Sequence, residues 1–177
     1  IVTWEQHGIV IEADQRHAEI LVKELALDKE NAKQLATPGS KEETGIESLE
    51  YMQDWEATLY RAHVARALYL TQDRTDIQYA TKELSRWMSK PRYRDQQALK
   101  RMGRYLKDRT RMRVEYRWQS VNGKQEVEIW TDTDFAGCKD TRKSTSGGVA
   151  RLGKHMIKSW SNTQSVIACL LYTSDAA

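Results

Sequence analysis

The sequence EVEIWTDTDFAGCKDTRKSTSGGVARLGKHMIKSW, residues 126–160, decides the fold of the C-terminal third of this chain. Apolar and polar side chains alternate over residues 126–132, which is the period of a half-buried strand. Residues 147–152 predict a second strand and residues 155–160 a third, with Gly-Lys at 153–154 as a two-residue turn between them. The pattern therefore predicts a sheet of three short antiparallel strands.

Asp132 stands at the end of the first predicted strand, before a loop rich in Gly, Ser and Thr. A carboxylate at a strand end is suited to hold Mg²⁺, which prefers oxygen ligands. An Asp in that position is also a common turn or capping residue. Spacing alone leaves both interpretations open for Asp132, whereas Asp134 and Asp140 are predicted to be solvent-facing loop residues.

Length and composition are typical of one globular domain or two small ones. Of the 177 residues, 30% are charged and 40% hydrophobic. No apolar run approaches the roughly 18 residues of a membrane span, so we expect no membrane partner. Cys138 and Cys169 are isolated, which argues against a disulfide framework or a zinc site. We expect an intracellular, reducing setting, in the cytoplasm or the nucleus.

The net charge of +3 hides a strong asymmetry along the chain. Residues 1–56 hold 5 basic and 13 acidic residues, a net charge of −8, whereas residues 86–117 hold 12 basic and 3 acidic, a net charge of +9. Basic segments with interleaved aromatic residues are typical of nucleic-acid binding, although such a run is also compatible with a solvated helix face. We predict contacts with single strands or an RNA–DNA hybrid through Arg101, Arg104, Arg111, Arg113, Arg142, Lys143 and Ser144.

The remaining periodicities predict an α+β chain in which a small helical bundle lies between two sheet pieces. Two strands are expected over residues 1–12, followed by a helix that Asp14 caps. Two apolar stripes at helical spacing follow Ala57 and end at Pro91, and Asp95 is the predicted cap of a third helix. Residues 111–118 alternate as a strand.

Three stretches resemble the Pol polyprotein of copia-type LTR retrotransposons. TDTDFAGCKDTRKSTSGG at 131–148 is similar to the opening of the ribonuclease H domain in that family. ALYLTQDRTDIQYATKELSRWMSKP at 67–91 resembles the helical stretch between polymerase and ribonuclease H, with Thr75 in place of the usual proline. Residues 17–39, which include HAEILVKEL and LATPG, resemble the end of the reverse transcriptase palm.

The resemblance implies a domain order along the chain. Residues 1–40 would end the reverse transcriptase palm, 41–56 would be a linker, 57–118 the helical connection and 119–168 the N-terminal half of a ribonuclease H-like domain with an incomplete sheet. It further implies a parent enzyme for RNA-directed DNA synthesis and Mg²⁺-dependent cleavage of the RNA strand in hybrids. Asp132 would be its catalytic metal ligand, and the partners would be nucleic acid and the remainder of the polyprotein.

The family's polymerase Asp pair and second ribonuclease H carboxylate have no counterpart here. The tail CLLYTSDAA, residues 169–177, looks like the translation of a sequencing adapter and is excluded from the fold. We therefore expect a fragment that is inactive by itself. The alternative is a non-catalytic nucleic-acid-binding module that uses residues 86–117.

Overall fold

A computed structural model describes residues 1–29, 33–39, 50–120, 126–138 and 140–167. The Asn-Gly pair at 122–123, which is typical of a tight turn, and the tail at 169–177 lie outside these ranges. The described helices are α1 (Gln15–Glu24), α2 (Asp54–Leu70), α3 (Gln78–Ser85) and α4 (Tyr93–Leu106), with a 3₁₀ turn at Thr75–Ile77. The described strands are β1 (Val2–Glu5), β2 (Gly8–Glu12), β3 (Arg113–Arg117), β4 (Val127–Asp134), β5 (Thr145–Leu152) and β6 (His155–Thr163). The predicted α+β class is confirmed.

The strands form two three-stranded sheets, ordered β1–β2–β3 and β4–β5–β6. The chain divides into two compact units, one of residues 1–4 with 10–115 and one of residues 5–9 with 116–177. The domain boundaries that the resemblance implies stay predictions. Among the described residues, no helix combines the length and the apolar composition needed to cross a membrane.

Helix α1 begins as the sequence predicts. Asp14 accepts a hydrogen bond from the Arg16 backbone N–H at 3.0 Å, which satisfies one of the free donors of the first turn. The side chains of Ala18, Leu21 and Val22 are buried on one face of the helix. In the helical core, α1 packs on α2 and α4, and α3 packs on the same two helices.

The third helix begins differently from the prediction. The N-cap of α4 is Arg92, and Asp95 is the third residue of the helix, where its carboxylate accepts a hydrogen bond from the Arg92 backbone N–H at 2.8 Å. Asp95 thus closes a capping box from inside the helix instead of preceding it. Helix α3 ends at Ser85, short of the Pro91 boundary that the apolar stripe predicted.

The connection between α2 and α3 contains a deeply buried charge. Arg74 is 1% exposed and forms an ion pair with Asp76 at 2.7 Å. Its guanidinium also donates to the Arg109 carbonyl at 2.8 Å, while the Tyr105 hydroxyl donates to Asp76 at 2.8 Å. These contacts tie the α2–α3 connection to the C-terminal end of α4, because both partners of the ion pair also bind groups on that end.

The β4–β5–β6 sheet is antiparallel throughout, which confirms the three-stranded prediction. Gly153 lies in the turn between β5 and β6 and has a φ of +56°. Glycine is favoured in this left-handed conformation at the start of a tight hairpin turn. Strand β4 continues to Asp134, two residues beyond the predicted end at Asp132.

Strand β4 is not half-buried as the alternation predicted. Val127, Ile129 and Trp130 are 58%, 65% and 63% exposed, so both faces of this part of the strand are open among the described residues. Alternation predicts which side chains share a face, but it does not show whether another element covers that face.

Gly8 in β2 should not tolerate a side chain. A Cβ there would overlap the Tyr116 carbonyl oxygen and lie 2.7 Å from the Arg117 Cα, and backbone atoms in a paired strand cannot move aside. We expect Gly8→Ala to lower the free energy of unfolding by about 1–3 kcal/mol, measured by urea denaturation.

The matched control for Gly8 is Gly147→Ala. Gly147 also lies in a strand, but a Cβ there would meet its nearest atoms at 3.8 Å, an ordinary contact distance. This variant should be as stable as the parent or slightly more stable, because alanine reduces the entropy of the unfolded chain. Equal losses of stability in the two variants would contradict the steric argument.

Candidate functional site

Asp132 lies on β4 opposite Gly147 of β5, and its side chain is exposed. Strand alternation places Asp132 on the same face as Glu128 and Asp134. Its carboxylate is therefore accessible from solvent on a paired strand, whose hydrogen bonds hold the backbone. Among the described residues, no group of three or more His, Cys, Asp or Glu side chains could hold a metal ion.

Asp134 is the last residue of β4 and half-buried, so its interpretation as a solvent-facing loop residue is wrong. Its Oδ1 accepts a hydrogen bond from the backbone N–H of Thr145, the residue directly opposite on β5. A Cβ at Gly137 would overlap the same carboxylate, which shows how closely the loop after β4 folds over it. Asp134 therefore closes the end of the β4–β5 pair.

The loop between β4 and β5 folds back on itself. The Ala136 backbone N–H donates to Ser144 Oγ at 3.0 Å, Cys138 N–H donates to the Lys143 carbonyl at 3.2 Å, and Arg142 N–H donates to the Cys138 carbonyl at 2.7 Å. Ala136 and Arg142 have φ values of +50° and +56°, which L-residues seldom adopt. The loop's own hydrogen bonds hold these two residues in that conformation.

The structure separates the three predicted phosphate contacts in this loop. Arg142 is exposed and Lys143 is half-buried, so both remain candidates beside Asp132 on the same unit. Ser144 is 0% exposed, and its hydroxyl oxygen accepts the Ala136 hydrogen bond inside the protein. Ser144 is therefore a loop-closing residue and cannot reach a phosphate in this conformation.

Two of the predicted arginines lie on α4, in different environments. The Arg101 guanidinium donates to the Gly39 carbonyl at 3.1 Å and to Thr37 Oγ1 at 3.0 Å, so it holds the Thr-Pro-Gly segment against α4. Arg104 is exposed, and no hydrogen bond or ion pair joins its side chain to another described residue. Arg104 is thus the better placed of the two to meet a phosphate.

The other two arginines lie at or just before β3. Arg111 forms a two-pronged ion pair with Glu12, with a distance of 2.9 Å for its Nη2. The hydrogen bond from Arg111 lowers the pKa of Glu12, so Glu12 stays ionised and competes with any phosphate for this guanidinium. Arg113 is the first residue of β3 and is exposed. Exposed and half-buried residues alternate along this strand, as the sequence predicted.

Most aromatic residues of the basic segment contact other residues of the protein. The hydroxyl groups of Tyr93, Tyr105 and Tyr116 donate to Glu56, Asp76 and the Met156 carbonyl. Trp87 lies beneath two guanidinium groups, of which the nearer, Arg92, is 3.8 Å from the ring centroid. Trp118 is 57% exposed, which leaves it as the candidate to stack on a base.

The Arg74–Asp76 pair is the motif that the sequence reasoning missed. Arg74 and Asp76 stand two residues apart in the family-like run DRTDI, where they read as turn residues. Burial raises the pKa of Asp76, but hydrogen bonds and the charge of Arg74 outweigh it, and the pKa is lowered overall. The resemblance of the stretch at 67–91 to the family is the one signal that could have pointed to these two residues. Their contacts show a structural role.

The comparisons with known proteins place the chain among transposon proteins. It is 39% identical over 102 residues to the uncharacterized mitochondrial protein AtMg00810 of Arabidopsis thaliana, which covers 58% of this chain and 41% of that protein. It is 37% identical over 105 residues to the retrovirus-related Pol polyprotein from transposon RE1 of the same plant, covering 59% of this chain and 7% of the polyprotein. A second mitochondrial protein, AtMg00240, is 31% identical over 80 residues, which cover 45% of this chain and 69% of that protein.

No known family model and no solved structure matches the chain. Two of the relatives, from the transposons RE1 and RE2, are retrovirus-related Pol polyproteins, the class of protein that the motifs at 67–91 and 131–148 resemble. The chain belongs to the family of retrovirus-related Pol polyproteins of transposons, of the copia type that its motifs resemble. It spans less than half the length of AtMg00810 and a small part of the RE1 polyprotein.

Proposed function

We propose that this chain is part of a retrotransposon Pol polyprotein that copies RNA into DNA and cleaves the RNA strand of the resulting hybrid in a Mg²⁺-dependent reaction. Asp132 would contribute one carboxylate to the ribonuclease H site, and the other ligands would come from polypeptide outside the described residues. The observation that carries the proposal is the exposed Asp132 on a paired strand, inside the stretch that resembles the opening of the family's ribonuclease H domain.

The position of Asp132 fits this role for two reasons. The ladder between β4 and β5 fixes its backbone, and a ligand on a strand is held more accurately than one on a loop. The loop that carries Arg142 and Lys143 follows β4 directly, so cations lie close in sequence to the carboxylate. Arg142 and Lys143 would bind backbone phosphates of the hybrid while Asp132 meets the metal.

The test is to complete the site. The 177-residue chain should show no cleavage of an RNA–DNA hybrid above background, with either Mg²⁺ or Mn²⁺, since a magnesium site needs several charged oxygen ligands. Replacing residues 169–177 with the continuation found in a Pol polyprotein relative should create metal-dependent cleavage. Robust cleavage by the 177 residues, or none by a folded extended chain, would contradict the proposal.

A second function, nucleic-acid binding without catalysis, is favoured by a separate observation. Lys100 and Arg104 are exposed on α4, and Arg113 is exposed on β3. Such cations neutralise phosphates regardless of base sequence. We propose that these cations bind single strands or an RNA–DNA hybrid with little sequence preference. Such binding would be useful both within the polyprotein and in an isolated module.

The salt dependence of binding should separate the arginines. We expect Arg104→Gln to reduce the slope of log K against log salt for single-stranded DNA by about 0.7, the value for one neutralised phosphate. Arg111→Gln should change the slope much less, because Glu12 already occupies that guanidinium. Fluorescence anisotropy at several salt concentrations would measure both slopes.

The control for this series is Arg16→Gln. Arg16 is equally charged and well exposed, but it lies outside the basic segment and pairs with Asp14 at 2.6 Å. Its removal should leave the slope unchanged. If Arg104→Gln behaves like Arg16→Gln, the basic surface of α4 is only solvated and the binding proposal fails.

A further inference from the structure

Residues 33–39, which we call the strap, lie beside α4 and are held by its cations. The Arg101 guanidinium donates to the Gly39 carbonyl at 3.1 Å. Arg109, just beyond the end of α4, donates to the Leu35 carbonyl at 3.2 Å. Two cations of the basic segment thus bind backbone oxygens of one short stretch of chain.

Every strap group that these two cations bind is uncharged. Two of the groups are backbone carbonyls, and the third is the Thr37 hydroxyl, whose oxygen lies 3.0 Å from Arg101 Nη2. Arg111 differs, because its partner is the carboxylate of Glu12. The strap therefore satisfies hydrogen-bond donors of Arg101 and Arg109 without neutralising their charge.

A guanidinium gains more from a phosphate than from a neutral oxygen. Its planar fork matches two phosphate oxygens at once, and the attraction of opposite charges adds to the two hydrogen bonds. Arg101 lies three residues before Arg104, so the two side chains are neighbours on the surface of α4. A released Arg101 would extend the exposed pair of Lys100 and Arg104 into a larger cationic surface.

The strap lacks the features that hold a segment firmly in a fold. None of its residues lies in a helix or a strand, so its release breaks no helical or sheet hydrogen bond. Four of its seven residues are exposed, and none is buried. Because burial of apolar surface is the main stabilising term in folding, the contacts with Arg101 and Arg109 are a large part of what holds the strap.

We propose that the strap and a single-stranded nucleic acid compete for Arg101 and Arg109, so that the strap limits the affinity of the basic surface. With the strap in place, Lys100 and Arg104 are the cations of α4 that meet phosphates. With the strap detached, Arg101 and Arg109 bind phosphates as well. This inference rests on the proposed nucleic-acid binding and adds a regulation of it.

The first test loosens the strap. Thr37→Gly combined with Pro38→Gly removes the hydroxyl that binds Arg101 and the ring that restricts the backbone, so ordering the strap costs more entropy. This variant should bind single-stranded DNA about 3–10-fold more tightly than the parent chain. The slope of log K against log salt should become steeper by up to about 1.4, which is about 0.7 for each released arginine. Fluorescence anisotropy would measure both quantities.

The second test strengthens the strap. Thr37→Asp places a carboxylate where the hydroxyl now meets Arg101, so it should weaken the binding about 3–10-fold and make the slope shallower by about 0.7. Ala36→Asp is the matched control, because it adds the same charge at the exposed residue before Thr37. This control should weaken the binding less. Equal weakening by both variants would show general repulsion of the strand and would overturn the proposal.

The outcomes separate the strap from the binding itself. If the parent chain binds and Arg104→Gln reduces its slope, but the glycine variant keeps the parent's affinity, the competition is wrong and the proposed binding stands. Tighter binding with an unchanged slope would also overturn the competition, because no further cation then meets a phosphate. A chain that binds no strand in any variant would overturn both. Circular dichroism should show native helix content in each variant, and Thr37→Asp decides the matter if the glycine variant does not fold.

Discussion

Asp132→Asn should abolish hybrid cleavage by the extended chain, with a loss of at least about 100-fold in rate. Removing a residue that only supports a metal ligand typically lowers metal affinity or activity about 10–100-fold. Removing the ligand itself should lower the rate further. The amide keeps the shape of the carboxylate but removes its charge, so the strand and its pairing with Gly147 should persist. Single-turnover cleavage of a labelled RNA–DNA hybrid would measure the effect.

The control for Asp132 is Glu128→Gln in the same extended chain. Glu128 is exposed on the same face of the same strand, and its change removes the same charge four residues away. Its rate should stay close to that of the parent. An extended chain that tolerates Asp132→Asn as well as Glu128→Gln would show that Asp132 is only a strand residue.

Asp76→Asn should lower the free energy of unfolding by about 3 kcal/mol or more. Arg74 is 1% exposed and would keep its charge in the interior without a carboxylate partner. Removing one member of a buried ion pair costs about 3–5 kcal/mol, far more than the pair contributes when both are present. Urea denaturation would measure the loss of stability, and Asp73→Asn, an exposed neighbour of the same chemistry, should change stability by less than about 0.5 kcal/mol.

The pH dependence provides an independent check on Asp76. Its pKa is lowered in the folded state, so its contribution to stability is complete above the unfolded pKa of 3.8 and is lost as the pH falls through the folded value. The difference in stability between the parent chain and Asp76→Asn should therefore be widest near neutral pH and should narrow in acid. A difference that does not change with pH would show that the carboxylate charge is not what stabilises Arg74.

A double variant tests whether the two residues act as a unit. Arg74→Met combined with Asp76→Asn should cost less than the sum of the two single changes, because the second change no longer leaves an unpaired charge. Some cost should remain, since Arg74 also donates to the Arg109 carbonyl. Strict additivity would contradict the coupling.

The amino-acid sequence by itself determined the types of element and their order. The Asp14 cap, the apolar stripe of α2 and the tight turn at Gly153 are local features, and each depends on side chains a few residues apart. The family was also recognisable from local runs of residues, and the relatives confirm it. Such features are readable because backbone periodicity and turn chemistry act over one or two turns of chain.

Only the tertiary structure decided how the charged residues are used. Arg101 binds Gly39, 62 residues away, and Arg111 binds Glu12, 99 residues away. The burial of Ser144 and the role of Asp134 depend likewise on how the loop closes after β4. Long polar side chains bind whichever partner the fold brings near them, and the periodicity of the sequence does not predict which partner that is.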